Sequence, residues 1–321
     1  MSLNNTDSKN TNSNDGNANV KKKYIRKRKR FERFDGYKVK SVHSFQKLVP
    51  YIMKPRTASS NYFEATYDMA EVVKYLDEKN SILKEKNDPN NPIKKYTYAL
   101  FFISLLVRIF ALRPKLNRFI SRKNIYQRHN IEVAYVIKKE FSDEGEESTA
   151  ISSFERDFNI EDVGKVLFPS IKGVKNTTND NAGDFVGLLM KFPNFVVSFI
   201  VWIFDALIYI GYCPAILRKI DVMQCSVMFS NLGSIGLDSV PHHHLYDRGT
   251  CSIFISIGRI RKELVQTNDG LVEKELMDIK ITMDERIADG FYFVKTFDIL
   301  NDIIKDPKRL DERLKEVLID E

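Results

Sequence analysis

Residues 284–290 read DERIADG, which sets two acids, an arginine and a third acid within six positions. Upstream, PHHHLYDRG at 241–249 holds three of the chain's five histidines in a row, and His242 and His243 with Asp247 read HHxxxD. An imidazole titrates near pH 6.5 and suits general-base work at neutral pH. A thiol near 8.5 lies about 2.7 kcal/mol uphill of an imidazole, but about 6 kcal/mol uphill of a glutamate near 4.3. That difference is worth about two orders of magnitude in rate, of which burial of a carboxylate recovers part. Glu285 therefore either serves as a base in an apolar site, or pairs with Arg286 or another cation and helps hold the fold. Three adjacent histidines cannot all point one way, so the run makes a poor metal site. It is a polar turn or the source of a base.

The 321 residues are 43% hydrophobic, enough for one large domain or two small ones. The net charge of +7 is concentrated in a basic block that includes Lys21, Lys22, Lys23, Arg26, Lys27, Arg28, Lys29, Arg30 and Arg33. Such an arm suits a polyanion or an anionic membrane surface, or it solubilises the chain. The three cysteines, Cys213, Cys225 and Cys251, are odd in number and widely spaced, so neither a disulfide framework nor a zinc site is indicated. Residues 1–20 are Asn/Ser-rich and polar, which argues disorder and no signal peptide; a cytoplasmic protein is expected. Residues 195–212 carry the single charge Asp205 and lie between Pro193 and Pro214. A carboxylate at mid-bilayer costs roughly 2.5–3.5 kcal/mol, so the stretch is expected to be a buried or membrane-touching helix, and Trp202, Phe199, Phe204 and Tyr209 its packing residues.

Several elements must position these residues. Residues 57–80 begin as an alternating strand and turn helical, with Asp68 and Glu71 spaced as a capping box. A strong helix is predicted over 96–112. A strand pair follows in IYQRHN and IEVAYVIKK, then an acidic loop at 141–150, a helix after 155, and an apolar helix over 185–212. CSVMFSNLGSIG and GTCSIFISIGRIRKE read as two strands joined by the histidine loop. MDIKITM alternates, and a closing helix begins at Phe291. Strands and helices alternate without a regular βαβ rhythm, which fits an α/β sandwich with a mixed sheet.

Five stretches, in order, carry a resemblance: YFEATYDMAEVVKYL, YALFFISLLVRIFALRPKLNRFI, NIYQRHNIEVAYVI, FSNLGSIG and DERIADG. From about residue 50 to the end the chain resembles the catalytic domain of the dihydrolipoyl acyltransferases, the E2 components of 2-oxoacid dehydrogenase complexes. The resemblance implies the chloramphenicol acetyltransferase-like fold, a two-layer α/β sandwich with a mixed β-sheet packed by helices. With the composition of the N-terminal stretch, this gives a disordered Asn/Ser-rich and basic arm at 1–33 followed by an E2-like catalytic domain at 34–321. The resemblance also implies a homotrimer or higher homo-oligomer, with active sites between subunits, and coenzyme A as acyl carrier and co-substrate. Neither a covalent lipoyl group nor a metal is expected, and a full dehydrogenase complex is not implied.

Carried over by position, Ser230 matches the serine that hydrogen-bonds the oxyanion. Asp284, Arg286, Asp289 and Gly290 match their signature counterparts, and Glu285 stands where the family has its catalytic histidine. The chain is also similar to stand-alone bacterial relatives carrying His-His-Leu-Tyr-acid-x-Gly-Thr with a later Asp-Glu-Arg. In that setting His243 or His244 supplies the base near Ser230, with Asp247 or Glu285 orienting it. The alternative is a scaffold that keeps the fold without the reaction and binds through its basic arm.

Overall fold

In a computed structural model the described residues are 28–30, 32–138, 147–176, 187–214, 217–218, 221–268 and 270–317. The expected disorder of residues 1–20 lies outside them, as does most of the acidic loop.

Chain order gives β1 (Gly36–Lys38), α1 (Ser44–Ile52), β2 (Ser60–Asp68), α2 (Ala70–Lys86) and α3 (Tyr98–Leu112). Next come β3 (Arg118–Ser121), β4 (Asn124–Arg128), β5 (Ile131–Lys138), β6 (Glu147–Phe154), α4 (Ile160–Asn176) and α5 (Asn194–Ile210). The last third holds β7 (Val227–Asn231), β8 (Ile253–Ile257), β9 (Arg261–Thr267), β10 (Gly270–Asp284) and α6 (Gly290–Lys305).

The main sheet runs β2-β10-β8-β7-β5-β6, with β9 paired to β10. The β7–β8 and β5–β7 pairs are parallel and the others antiparallel, so the sheet is mixed. One face packs on α2, α3, α4 and α6 in a single hydrophobic core. The centre of that layer is α3, buried without a break from Leu100 to Ala111, as a helix apolar on every side should be. Each of its enclosed phenylalanines, such as Phe101 and Phe110, contributes about 1.5–3 kcal/mol of burial. The Thr97 hydroxyl caps the helix by accepting from the Leu100 N–H at 3.2 Å. The opposite sheet face carries a smaller cluster of Ala134, Cys225, Met228, Leu245, Cys251 and Phe254.

Four expectations change. β4 does not pair with β5; it joins β1 and β3 in a separate three-stranded sheet. Buried Arg128 anchors the turn between them, donating to the Gln224 and Thr250 carbonyls at 2.8 Å each. β6 occupies 147–154 and so takes the last four residues of the expected loop; its inward side is Ser148, Ala150, Ser152 and Phe154, a face too small and polar to read as a strand. The helix after β2 starts at Ala70 with Met69, not Asp68, as its cap residue. Asp68 still accepts from the Ala70 N–H at 3.2 Å and also pairs with Lys274 at 3.1 Å. Arg33, counted with the basic block, is folded inward: it is 4% exposed and its Nε donates to Asp35 at 2.9 Å.

Candidate functional site

Ser230 lies near the end of β7, where it pairs in register with Ser256 of β8, and Ser256 pairs with Lys280 of β10. Strand alternation puts Ser230 on the face of Met228, and Ser256 on the face of Phe254. That is the face away from the main helices. Within the described residues the Ser230 hydroxyl makes no hydrogen bond. Beyond it the chain turns tightly: the Asn231 side chain accepts from the Ser234 N–H at 3.1 Å. Gly233 approaches Gly258 so closely that a Cβ would stand 2.4 Å from the Gly258 carbonyl oxygen. On the opposite, helix-packed side of the sheet a cavity of about 300 Å³ reaches the β7 end, walled by Ile103 of α3, Tyr135 and Ile137 of β5, Leu167 and Ile171 of α4, and Phe229.

The histidine loop crosses the same face. The His243 ring lies parallel to the Phe254 ring, 3.9 Å between centroids. Phe254 sits one strand over and two residues back from Ser230, about 8 Å between Cα atoms from strand spacing and rise. The Nδ1 of His243 is 2.7 Å from the His244 carbonyl oxygen. A carbonyl only accepts, so Nδ1 carries a proton and donates it there. Tyr246 directs its hydroxyl at the ring's Nε2 from 3.5 Å. His242 Nε2 donates to the Phe63 carbonyl at 3.0 Å, while His244 is exposed and stacks on His243. The Asp247 carboxylate accepts from the Thr57 hydroxyl at 3.0 Å rather than from a histidine.

The DERIADG segment turns out of β10 into α6. Asp284 is fully buried and accepts from Arg286 Nε at 2.8 Å and Nη2 at 2.7 Å, with Arg56 Nε at 3.8 Å. Arg286 Nη1 also donates to the Met53 and Lys54 carbonyls. The expected pairing of Glu285 with Arg286 or another cation is not formed. Arg286 points inward to Asp284, and Glu285 accepts instead from Asn61 Nδ2 at 2.8 Å. Asp289 caps α6, accepting from the Tyr292 N–H at 2.9 Å, and Gly290 opens that helix. Counting in register from Lys280, Asp284 stands about 13 Å along the sheet from the level of Ser230. Within one chain His243, over Phe254, lies at the level of Thr282, two residues along the strands from the level of Ser230 and two from Asp284.

Sequence reasoning missed the segment that joins the two loops. Arg56 donates to the Tyr246 carbonyl at 3.0 Å and the Gly249 carbonyl at 2.7 Å while facing Asp284. Burial lowers its pKa, and Asp284 opposes that shift. Ser59 accepts from the Glu285 N–H at 2.9 Å, and Asn61 holds the Glu285 side chain. A polar run, RTASSN, just ahead of a strand was the available signal. Under the histidine loop, Cys225 and Cys251 are buried thiols. Burial pushes Cys225 up. It acts the same way on Cys251, but the hydrogen bond from Cys225 and the nearby Arg128 and Arg56 bring Cys251 down to about 7.

Residues 216–311 match the family of 2-oxoacid dehydrogenases acyltransferase (catalytic domain). A solved structure, a probable dihydrolipoamide acetyltransferase from Listeria monocytogenes 4b F2365, is similar at 16% identity, covering 84% of this chain and 95% of that one, with a TM-score of 0.51. The chain has the E2 acyltransferase fold. The cubic core of a pyruvate dehydrogenase multienzyme complex (10% identity, 85% and 94% covered, TM-score 0.49) and a chloramphenicol acetyltransferase (9%, 82% and 96%, 0.48) are also similar. No curated protein matches in sequence. Set on this fold, the Ser230 strand end and the turn out of β10 are where the five resembling stretches led.

Proposed function

We propose that this E2-fold chain transfers an acyl group from a thioester donor, with coenzyme A as carrier, to a hydroxyl or thiol acceptor. The observation that carries the proposal is that the His243 ring stacks on Phe254, which shares a sheet face with Ser230 one strand over and two residues back. In the reaction His243 Nε2 takes the acceptor's proton as its oxygen or sulfur attacks the acyl carbonyl. The Ser230 hydroxyl donates to the oxyanion that forms. On collapse the carrier thiolate leaves and takes the proton from the imidazolium. The working unit is a homotrimer or higher homo-oligomer, as the resemblance to the dihydrolipoyl acyltransferases implies.

The test is calorimetry of acetyl-CoA and free coenzyme A on the full chain. Micromolar binding weakened at least tenfold by Ser230→Ala is expected, with His243→Ala lowering turnover about a hundredfold at unchanged affinity. Absence of binding up to millimolar concentration would sink the proposal. It would select the second reading, a scaffold with a basic arm at residues 21–33, which the hydrogen bond from Asn61 to Glu285 and the capping role of Asp289 favour.

A further inference from the structure

α5 inverts the pattern of a surface helix. Of its 17 residues only Ile208 is buried. Its outward stripe, Phe195, Phe199, Trp202 and Tyr209, is 60–76% exposed, and the spacing i, i+4, i+7, i+14 lays these rings along one side. Its single charge, Asp205, is paired with Arg248 at 2.9 Å. The helix stops at Gly211 in a left-handed conformation, and at about 1.5 Å per residue it is about 26 Å long. Among the described residues no helix is long and apolar enough to cross a membrane. An aromatic stripe of this kind fits the plane where headgroups meet acyl chains.

The charge beside it has the sign that plane requires. The Phe34 N–H donates to the Gly211 carbonyl at 3.0 Å, and Arg33 Nη1 to the Ile208 carbonyl at 3.1 Å. Arg33 and Phe34, bonded to the last turn of α5, follow in sequence the run KKKYIRKRKR, eight cations in ten residues from Lys21 to Arg30. Arg122 lies over the Tyr209 ring at 5.8 Å. Next to it opens a cleft of about 660 Å³ lined by Lys29, Lys38, Lys40 and Arg122, with Glu32 as its acid.

We propose that α5 and this cationic cleft form one docking surface for an anionic phospholipid bilayer, the helix lying in the interface and the cleft taking lipid phosphates. The proposal holds with or without acyl transfer, and its test reads lipid contact rather than turnover. Trp202 is the chain's single tryptophan and reports on α5 directly. With the full chain and vesicles of 30% phosphatidylglycerol in phosphatidylcholine, the Trp202 emission should shift to shorter wavelength and be quenched by brominated acyl chains. Pure phosphatidylcholine should bind at least tenfold more weakly. Phe199→Glu should abolish the shift, and Lys38→Glu with Lys40→Glu should weaken binding at least tenfold. Both changes are at exposed positions. Sedimentation with vesicles but no Trp202 shift would overturn the proposal, leaving the arm alone as the binder. A shift that follows protein concentration without vesicles would overturn it in favour of a second copy. Retention on duplex DNA with no vesicle binding would overturn it in favour of nucleic acid.

Discussion

Asp284→Ala should unfold the protein far more readily than its place in a catalytic-looking signature suggests. The carboxylate is fully buried, and both guanidiniums that face it are nearly so, Arg286 at 4% and Arg56 at 6% exposed. Removing it leaves two positive charges side by side with no anion, the situation in which breaking a buried pair costs about 3–5 kcal/mol. For a domain of this size each kcal/mol moves the midpoint by about 2–4 °C, so a drop of about 6–20 °C is expected. Urea denaturation followed by circular dichroism gives the free energy directly. Asp284→Ala combined with Arg286→Met should be less damaging than the sum of the two, with a coupling of about 1–3 kcal/mol. Asp289→Ala, which removes only an exposed helix cap, should cost about 1 kcal/mol. A loss below about 1 kcal/mol for Asp284→Ala, or strict additivity with Arg286→Met, would refute the assignment of this pair as a staple of the fold.

Glu132→Gln should stabilise the protein at neutral pH, because burial raises the Glu132 carboxyl above its ordinary value. The sign follows from linkage. Below the unfolded-state pKa both states hold the proton and the variant gains nothing; the gain grows as pH rises toward the folded-state pKa and is constant above it. Melting temperatures of variant and parent should thus coincide near pH 3 and separate by pH 7, and a constant difference would refute the account. Gly249→Ala should destabilise by about 1–3 kcal/mol. Its φ is +87° and an added Cβ would stand 2.5 Å from the Met223 carbonyl oxygen; an unchanged urea midpoint would refute it.

The legible parts of the fold were those whose side chains speak for themselves. α3 announces itself by an apolar run interrupted only by Ser104 and Arg108 between Leu100 and Leu112, and the Ser230 strand end by alternation followed by a glycine-rich stop. β6 was hidden because its buried side is mostly serine and alanine, so period-two hydrophobicity had nothing to act on. Half of the candidate site was hidden for a different reason. The partner of Glu285, Asn61, is 224 residues away, and a neutral amide in a polar run carries no mark of its destination. The histidine loop was visible as a cluster, but the tautomer of His243 depends on the carbonyl of its own neighbour, which only the folded backbone reveals. α5 was legible as a helix and misleading as to its surroundings. Apolar composition reports that a segment avoids water; it does not say whether protein covers it.

Arg56 has a mechanical consequence. One guanidinium grips two carbonyls of the histidine loop and faces the acid that locks the DERIADG turn, so the two loops share one anchor. Loss of that side chain would take a donor from the Tyr246 and Gly249 carbonyls and a cation from Asp284 in a single step.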